Sequence, residues 1–214
     1  MTISSLDLAS LLCSRLCHDM LSPVGALSNG LELLAEERDV DMRGRIVELL
    51  EQSAKTSADK LKFFRLAFGA AGGFGELVQV AEAKALVEAL ASNNSRGIAV
   101  TWNLHADALP KAAIKTLLNL SLFAIESLVR GGTLEIGAEL RDGTSEIVVR
   151  AAGVKVAFDV TVGHALEGNL PLADLSSRTA PAAMLYELAE SVGGKLQYAL
   201  TDEALVMGAV LPGG

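Results

Sequence analysis

Residues 16–34 read LCHDMLSPVGALSNGLELL, and their apolar side chains recur every three or four positions. This period is typical of an amphipathic α-helix that buries one face. Followed outward in both directions, it predicts a helix over residues 6–36 with Pro23 as its single proline. The predicted core stripe of this helix consists of Ala9, Leu12, Cys13, Leu16, Met20, Val24, Leu27, Leu31 and Leu34.

A second long helix follows a short charged break at residues 37–41. The same spacing predicts this helix over residues 42–68. Its apolar seam consists of Ile46, Leu50, Ser53, Ser57, Leu61, Phe64 and Phe68. Two helices with so short a connection form an antiparallel hairpin, which cannot bury both apolar stripes by itself. We therefore expect two copies to pair as a homodimer with a four-helix bundle at its centre.

The segment GAAGGFG at residues 69–75 is the best candidate for a domain boundary, because glycine clusters favour loops. It divides the chain into a predicted helical hairpin domain over residues 1–74 and a second domain over residues 75–214. In the second domain, helices are predicted at residues 80–92, 110–130 and 180–192, and strands at residues 97–104, 133–140, 145–150, 155–162, 195–200 and 204–211. The predicted fold class is therefore α+β: the hairpin, then an α/β sandwich with helices on one face of a sheet.

The composition narrows the class of function. The 214 residues carry a formal net charge of −8, which argues against a protein that binds nucleic acid. No apolar run approaches the ~18 residues of a membrane span, and no basic leader is present. The two cysteines, Cys13 and Cys17, lie in one predicted helix, with both side chains towards its core side. We therefore expect a cytoplasmic protein that binds neither nucleic acid nor membrane.

His18 lies on the face of the first helix opposite the centre of the apolar stripe. Its own stripe is mostly polar and consists of Asp7, Leu11, Ser14, His18, Ser22, Gly25, Asn29 and Glu36. A neutral imidazole has one nitrogen available as a nucleophile, and an acidic neighbour such as Asp19 can hold the proton on the other nitrogen. Pro23 frees the carbonyl near Asp19 from its helical hydrogen bond, at a cost of about 3 kcal/mol or more. This combination predicts a functional histidine; the alternative is an ordinary surface residue beside a helix kink.

Metal binding is a weaker interpretation of the same residues. Cys13, Cys17 and His18 do not converge on one face of a helix, as the ligands of one metal ion must. The other histidines, His105 and His164, stand in polar, loop-like stretches and are predicted to be ordinary surface residues. We therefore predict no metal site in this chain.

The segment CHDMLSPV at residues 17–24 resembles the H-box of sensor histidine kinases. That motif has a histidine, an acid, an aliphatic residue, usually an arginine, then a small polar residue, a proline and another aliphatic residue. Leu21 stands where the arginine is usual. The resemblance implies that His18 is the phosphorylated residue and that Asp19 assists it.

Three further segments resemble the nucleotide-binding boxes of the same kinases without their functional residues. In residues 117–124, Phe123 takes the place of the magnesium-binding asparagine. In residues 148–153 the adenine-reading aspartate is missing, and RTAPAA at residues 178–183 stands where a glycine-rich ATP lid would be. A kinase-like chain without a nucleotide pocket resembles the ChpT-type dimeric histidine phosphotransferases of alphaproteobacterial cell-cycle phosphorelays.

This resemblance implies a function and a set of partners. The histidine would accept a phosphoryl group from the receiver domain of a CckA-like hybrid histidine kinase and pass it to CtrA-like and CpdR-like response regulators. Mg²⁺ is expected on the partner receiver domain only, and the second domain is expected to bind no ATP. The docking surface for receivers would consist of Ser14, Leu21, Ser22, Gly25 and Asn29. The alternatives are a divergent sensor histidine kinase that uses ATP, or an adaptor that docks receivers without chemistry.

Overall fold

The computed structural model describes residues 3–69, 77–94 and 96–213. Two long helices at the N-terminus precede a mixed segment of four shorter helices and seven strands among these residues. In chain order the elements are α1 (Ser5–Glu36), α2 (Val40–Ala67), β1 (Leu77–Gln79), α3 (Val80–Ser92), β2 (Ile98–His105), β3 (Ala108–Pro110), α4 (Lys111–Ser127), β4 (Gly132–Arg141), β5 (Thr144–Ala152), α5 (Val160–Leu166), a 3-10 turn (Leu172–Asp174), α6 (Ala180–Ser191), β6 (Lys195–Leu200) and β7 (Ala204–Pro212).

Side-chain caps define where the two helices of the hairpin begin and end. Ser4 caps the N-terminus of α1 and Asp39 caps that of α2, each accepting a hydrogen bond from a backbone N–H of the first turn. At the closed end of the hairpin, Arg43 donates to the carbonyls of Leu34 and Glu37, at 2.6 and 2.8 Å. These bonds satisfy carbonyls that a helix leaves free at its C-terminus. They fix the short connection, and the predicted antiparallel hairpin is confirmed.

The apolar stripe of α1 divides between two faces. Its partly buried members within the hairpin are Leu12, Leu16, Met20, Leu27 and Leu34. Its exposed members are Ala9, Cys13, Val24 and Leu31. Cys13 and Cys17 are both free and exposed, so the expectation that they point towards the core is wrong for the single chain. The hairpin thus covers one half of the stripe and leaves the other half on the surface.

The seam of α2 forms largely as predicted. Its buried members are Ile46, Ser53, Ser57 and Phe64, and Leu50 and Phe68 are partly buried. Leu50 packs against Gly30 of α1, where a Cβ atom would lie 2.8 Å from the leucine side chain. A side chain at position 30 would therefore displace Leu50 from its present place against α1. Leu61 is the exception in the seam, because its side chain is 49% exposed.

A five-stranded sheet forms the second layer of the fold, in the order β2-β4-β5-β7-β6. β2 and β4 are parallel, and the other neighbours are antiparallel. β1 and β3 form a separate two-stranded antiparallel pair. The main core lies where the inward side chains of the sheet meet α4 and α6. The last turns of α2 join the same buried cluster through Phe63, Phe64, Leu66 and Ala67. The hairpin is therefore anchored in the core of the sheet domain.

The α+β class is confirmed, with the hairpin followed by an α/β sandwich. The predicted boundary at residues 69–75 lies largely outside the described residues, so the division at residue 74 stays a prediction.

The predicted strand at residues 155–162 is wrong, because α5 begins at Val160. Alternating apolar residues suggested a strand, but Asp159 caps the helix by accepting hydrogen bonds from the backbone N–H and the hydroxyl of Thr161, at 3.0 and 2.7 Å.

The cap of α5 gives a pH-dependent stability that can be measured. The hydrogen bonds from Thr161 lower the pKa of Asp159 and outweigh its partial burial, and Arg178, 3.1 Å away, lowers this pKa further. A depressed pKa in the folded state stabilises the fold above the pKa of the unfolded chain, and this stability is lost as the pH falls through the folded-state value. We expect Asp159→Asn to lower the free energy of unfolding by about 0.3–1 kcal/mol at neutral pH, because asparagine keeps the cap but loses the charge that the helix N-terminus and Arg178 stabilise. Urea titrations would show this difference vanish in acid.

Asp174→Asn, a change in the exposed 3-10 turn, is the control for that experiment. A stability difference for Asp159→Asn that stays constant from neutral to acid pH would contradict the prediction.

Candidate functional site

His18 projects from the middle of α1 into solvent, and 82% of its side chain is exposed. Its Nδ1 atom lies 3.2 Å from Oδ1 of Asp19. Because a carboxylate can only accept a hydrogen bond, Nδ1 is the donor in this pair. The Nε2 atom of the neutral ring then carries the free lone pair. The structure thus places the two predicted residues in contact, in an arrangement that leaves Nε2 exposed to solvent.

Two residues that the sequence analysis did not select complete the site. Nε of Arg15 donates to Oδ2 of Asp19 at 2.7 Å, and Nη2 of Arg15 donates to Glu126 of α4. Arg15 is only 8% exposed, although it lies on a helix with few buried side chains. The spacing of Arg15 and Asp19, four residues apart on one helix, was a usable signal for their ion pair. No local pattern points to Glu126, which is 111 positions away from Arg15.

The charges of this cluster depend on one another. Burial lowers the pKa of Arg15, but the nearby Glu126 and Asp19 carboxylates more than compensate, so this pKa lies above its ordinary value. Burial raises the pKa of Glu126, Arg15 opposes that effect, and the like charge of Asp19 adds to it, so the net direction is upward. Arg15 therefore stays charged, and it holds two acidic groups at the base of the histidine.

The backbone carbonyl that Pro23 leaves free is used by the second helix. Pro23 has no N–H with which to bond the carbonyl of Asp19, four residues earlier. Nζ of Lys60, on α2, donates to that carbonyl oxygen at 2.9 Å. Pro23 is itself buried. The carbonyl of Asp19, next to His18, thus accepts a hydrogen bond from a charged donor. This bond links α1 to α2 at the level of the histidine.

We expect Lys60→Met to lower the free energy of unfolding by about 1–3 kcal/mol, because it leaves the Asp19 carbonyl without a donor in a partly buried place. In a Pro23→Ala background the N–H of residue 23 can bond that carbonyl, so the same change is expected to cost at least about 1 kcal/mol less. Urea unfolding of the four proteins measures this coupling. Lys62→Met, at an exposed position of α2, is the control. Equal costs in the two backgrounds would contradict the assignment.

A cleft of about 420 Å³ lies beside His18, between the hairpin and the sheet domain. Its lining residues are Arg15, His18 and Asp19 from α1, and Arg96, Glu126, Ser177 and Arg178 from the sheet domain. Arg96 and Arg178 are exposed, and each brings a positive charge to a site whose nucleophile would carry a phosphoryl group. The histidine therefore stands at the edge of a polar cleft to which both parts of the chain contribute.

The five residues of the predicted docking surface share the exposed side of α1 with His18. Ser14, Leu21, Ser22 and Asn29 are exposed, and Gly25 is partly exposed with open space where a Cβ atom would lie. His105 and His164 are also exposed, but they belong to β2 and α5 rather than to loops, and neither lines the cleft.

The segments that resemble kinase boxes pack into the fold. Phe123 is buried in the core of α4. Arg150 of β5 forms an ion pair with Glu135 of β4 at 3.0 Å, on the exposed face of the sheet. At residues 180–183 the first turn of α6 is buried, and Thr179 closes a turn with Ser176 immediately before it. Among residues 3–69, 77–94 and 96–213 no group of three or more His, Cys, Asp or Glu side chains could hold a metal ion.

A family model for the histidine phosphotransferase C-terminal domain matches residues 80–204. The chain belongs to this family. The phosphotransferase is also 34% identical over 208 residues to the protein phosphotransferase ChpT of Brucella abortus (strain 2308), and the match covers 97% of each chain. A bacterial phosphotransferase of known structure, at 32% identity and with 98% of each chain covered, superposes with a TM-score of 0.84. The predicted family is thereby confirmed, and the protein is a phosphotransferase of phosphorelay signalling.

In the described part of this phosphotransferase, no helix is long and apolar enough to cross a lipid bilayer.

Proposed function

We propose that Nε2 of His18 accepts a phosphoryl group from the aspartyl phosphate of one receiver domain and delivers it to the aspartate of another. The observation that carries this proposal is the Nδ1–Oδ1 contact of His18 and Asp19 at 3.2 Å, with the rest of the ring in solvent. In the first transfer the Nε2 lone pair forms the N–P bond as the P–O bond to the donor aspartate breaks. The proton stays on Nδ1, where Asp19 stabilises the positive ring. The second transfer is the reverse of these steps with the new aspartate.

The docking surface proposed for receivers is the exposed side of α1 together with the mouth of the cleft. Its members on α1 are Ser14, Leu21, Ser22, Gly25 and Asn29. Leu21, at 70% exposure, offers an apolar contact at its centre. A receiver brings its own acidic site with Mg²⁺, so the phosphotransferase needs no metal of its own for this chemistry. Arg96 and Arg178 would meet the acidic rim of the receiver.

The partners proposed for the two transfers are those that the resemblance to ChpT-type phosphotransferases implies, and the relative at 34% identity carries that name. The donor is the receiver domain of a CckA-like hybrid histidine kinase, and the acceptors are CtrA-like and CpdR-like response regulators. The cytoplasm is the proposed compartment, because the free and exposed Cys13 and Cys17 stay reduced there.

The active form is proposed to be a homodimer in which two hairpins form a four-helix bundle. The support is the exposed half of the apolar stripe of α1, in which Val24 and Leu31 are 49% and 59% exposed. On α2, Val47 and Leu61 are exposed as well. A second copy of the hairpin would cover these side chains with the same kind of surface.

The test of the proposed function is a transfer assay between purified proteins. A receiver domain carrying ³²P-aspartyl phosphate is mixed with the full-length phosphotransferase, and a second receiver is added afterwards. We expect label to appear on the phosphotransferase as an acid-labile, base-stable phosphoramidate and then to move to the second receiver. A phosphotransferase that binds receivers and never carries label would support the adaptor instead.

We also expect the protein to bind no ATP. Phe123 offers no oxygen to Mg²⁺, which prefers oxygen ligands. At the adenine-reading position Ala151 and Ala152 provide no acceptor for the adenine amine, and Pro181 stiffens the segment that a lid would need to move. Calorimetry with Mg-ATP is therefore expected to show no saturable heat, and labelled ATP alone is expected to leave His18 unmodified. Micromolar affinity or self-labelling would favour a divergent kinase.

A further inference from the structure

The guanidinium group of Arg15 divides its two adjacent donors between two carboxylates. Nε and Nη2 lie side by side on the planar group and match the two oxygens of one carboxylate. In the structure Nε donates to Oδ2 of Asp19, and Nη2 donates to Glu126. Oδ2 of Asp19 therefore accepts a hydrogen bond from Arg15, and Oδ1 remains available to accept one from Nδ1 of His18.

The position of Glu126 is locally unfavourable. It stands in the last turn of α4, where the helix macrodipole disfavours negative charge and where no basic residue is present. It also lies near the carboxylate of Asp19, whose like charge repels it. A carboxylate kept at such a place has a compensating contact, and the contact observed is Nη2 of Arg15.

We propose that Glu126 is a positioning residue for the phosphotransfer reaction: by holding Nη2 of Arg15, it prevents the guanidinium from taking both oxygens of Asp19. This inference rests on the proposed role of His18. Without Glu126, the two donors of Arg15 would pair with Oδ1 and Oδ2 together, which is the favoured geometry for arginine and a carboxylate. Oδ1 would then accept from both Arg15 and Nδ1 of His18, so its hydrogen bond to the ring would weaken, and the neutral ring would more readily carry its proton on Nε2 instead. Glu126 of the sheet domain would thus favour the tautomer of His18 in which Nε2 is free to react.

Other charged groups face the same cluster. Arg96 and Arg178 line the cleft with Glu126, and Lys60 of α2 lies close to Asp19. Lys60 bonds the backbone carbonyl of Asp19, and Arg178 pairs with Asp159 at 3.1 Å. Glu126 is thus the carboxylate that the structure pairs with the second donor of Arg15.

The experiment measures the His18 tautomer in the full-length protein without any receiver. Ring ¹⁵N chemical shifts distinguish a protonated from an unprotonated nitrogen. In the wild type we expect the neutral ring of His18 to carry its proton on Nδ1. In Glu126→Gln the amide oxygen can still accept from Nη2 of Arg15, but without a charge it competes poorly with the carboxylate of Asp19, so we expect the population to move towards Nε2–H. At saturating receiver, the rate of phosphoryl transfer is expected to fall about tenfold with KM unchanged, since only the reactive tautomer is depleted.

A matched control and a rescue variant separate positioning from stability. Glu135→Gln makes the same chemical change in another glutamate–arginine pair of the sheet domain and is expected to alter neither readout. The double variant Arg15→Lys/Glu126→Gln keeps a positive charge at position 15 but has a single nitrogen in place of the two side-by-side donors. We expect it to restore the Nδ1–H tautomer and most of the transfer rate. A residue needed only for stability would give a double variant no better than Glu126→Gln.

The two proposals fail in different ways. An unchanged tautomer in Glu126→Gln, or no recovery in the double variant, would overturn the role of Glu126 even if His18 carries phosphate. A wild-type protein that is never labelled by a receiver would overturn the phosphotransfer role, while the tautomer measurement would still decide how Arg15 divides its donors.

Discussion

His18→Gln is expected to abolish phosphoryl acceptance completely. Glutamine preserves the polarity and much of the size of the side chain, but its amide nitrogen is not a nucleophile, so no N–P bond can form. In the transfer assay the wild type is expected to carry acid-labile label, while the variant stays at background with any amount of phosphorylated receiver. Binding of the receiver to His18→Gln, followed by surface plasmon resonance, is expected to stay within about threefold of wild type.

The other histidines provide matched controls for this experiment. His105→Gln and His164→Gln make the same substitution at exposed positions outside the cleft and are expected to leave labelling unchanged. Label that persists in His18→Gln, or that disappears in either control, would show that another residue carries the phosphoryl group.

Leu31→Glu is expected to convert the proposed dimer into a monomer. Leu31 is 59% exposed in the single chain and lies on the uncovered half of the α1 stripe. In a symmetric bundle both copies would bury a new and unpaired carboxylate, and each such burial costs about 3–5 kcal/mol. The dimer dissociation constant is therefore expected to rise at least about thousandfold. Sedimentation velocity at micromolar concentration measures the two masses directly.

Leu172→Glu is the control for the dimer experiment, since Leu172 is equally exposed, at 56%, but lies in the 3-10 turn of the sheet domain. It is expected to remain dimeric. A wild-type chain that sediments as a monomer, or a Leu31→Glu chain that sediments as a dimer, would overturn the proposed bundle. Circular dichroism of Leu31→Glu checks that its helices are retained.

Much of this architecture could be predicted because its signals are local. The helices at residues 5–36, 40–67 and 80–92 follow from apolar periods, and the cap residues lie within a turn of the ends they fix. The helix α5 escaped prediction because apolar residues alternate just before and within it, at a spacing that also suits a strand. The three-residue strands β1 and β3 are too short to show any period and exist only because they pair with each other.

In the candidate site, too, some residues could be predicted from a local pattern and others could not. His18, Asp19 and Pro23 stand within six residues, so their relation could be read from one segment. Lys60 donates the hydrogen bond that the carbonyl of Asp19 lacks because of Pro23, and Glu126 is the second carboxylate partner of Arg15. Both contacts depend on how distant elements pack, and a lysine or a glutamate on an amphipathic helix usually signals only a solvated face. Tertiary packing, rather than local pattern, selects these two residues.

Because Phe63 and Phe64 are buried in the core of the sheet domain, the hairpin cannot be separated from that domain without exposing them. The two helices are not an exchangeable module, since a fragment ending after residue 69 would expose an aromatic cluster at its tip, together with Leu66. Such a fragment would self-associate through this tip. A chimera that joins this hairpin to a foreign sheet domain would need matching apolar contacts at the junction.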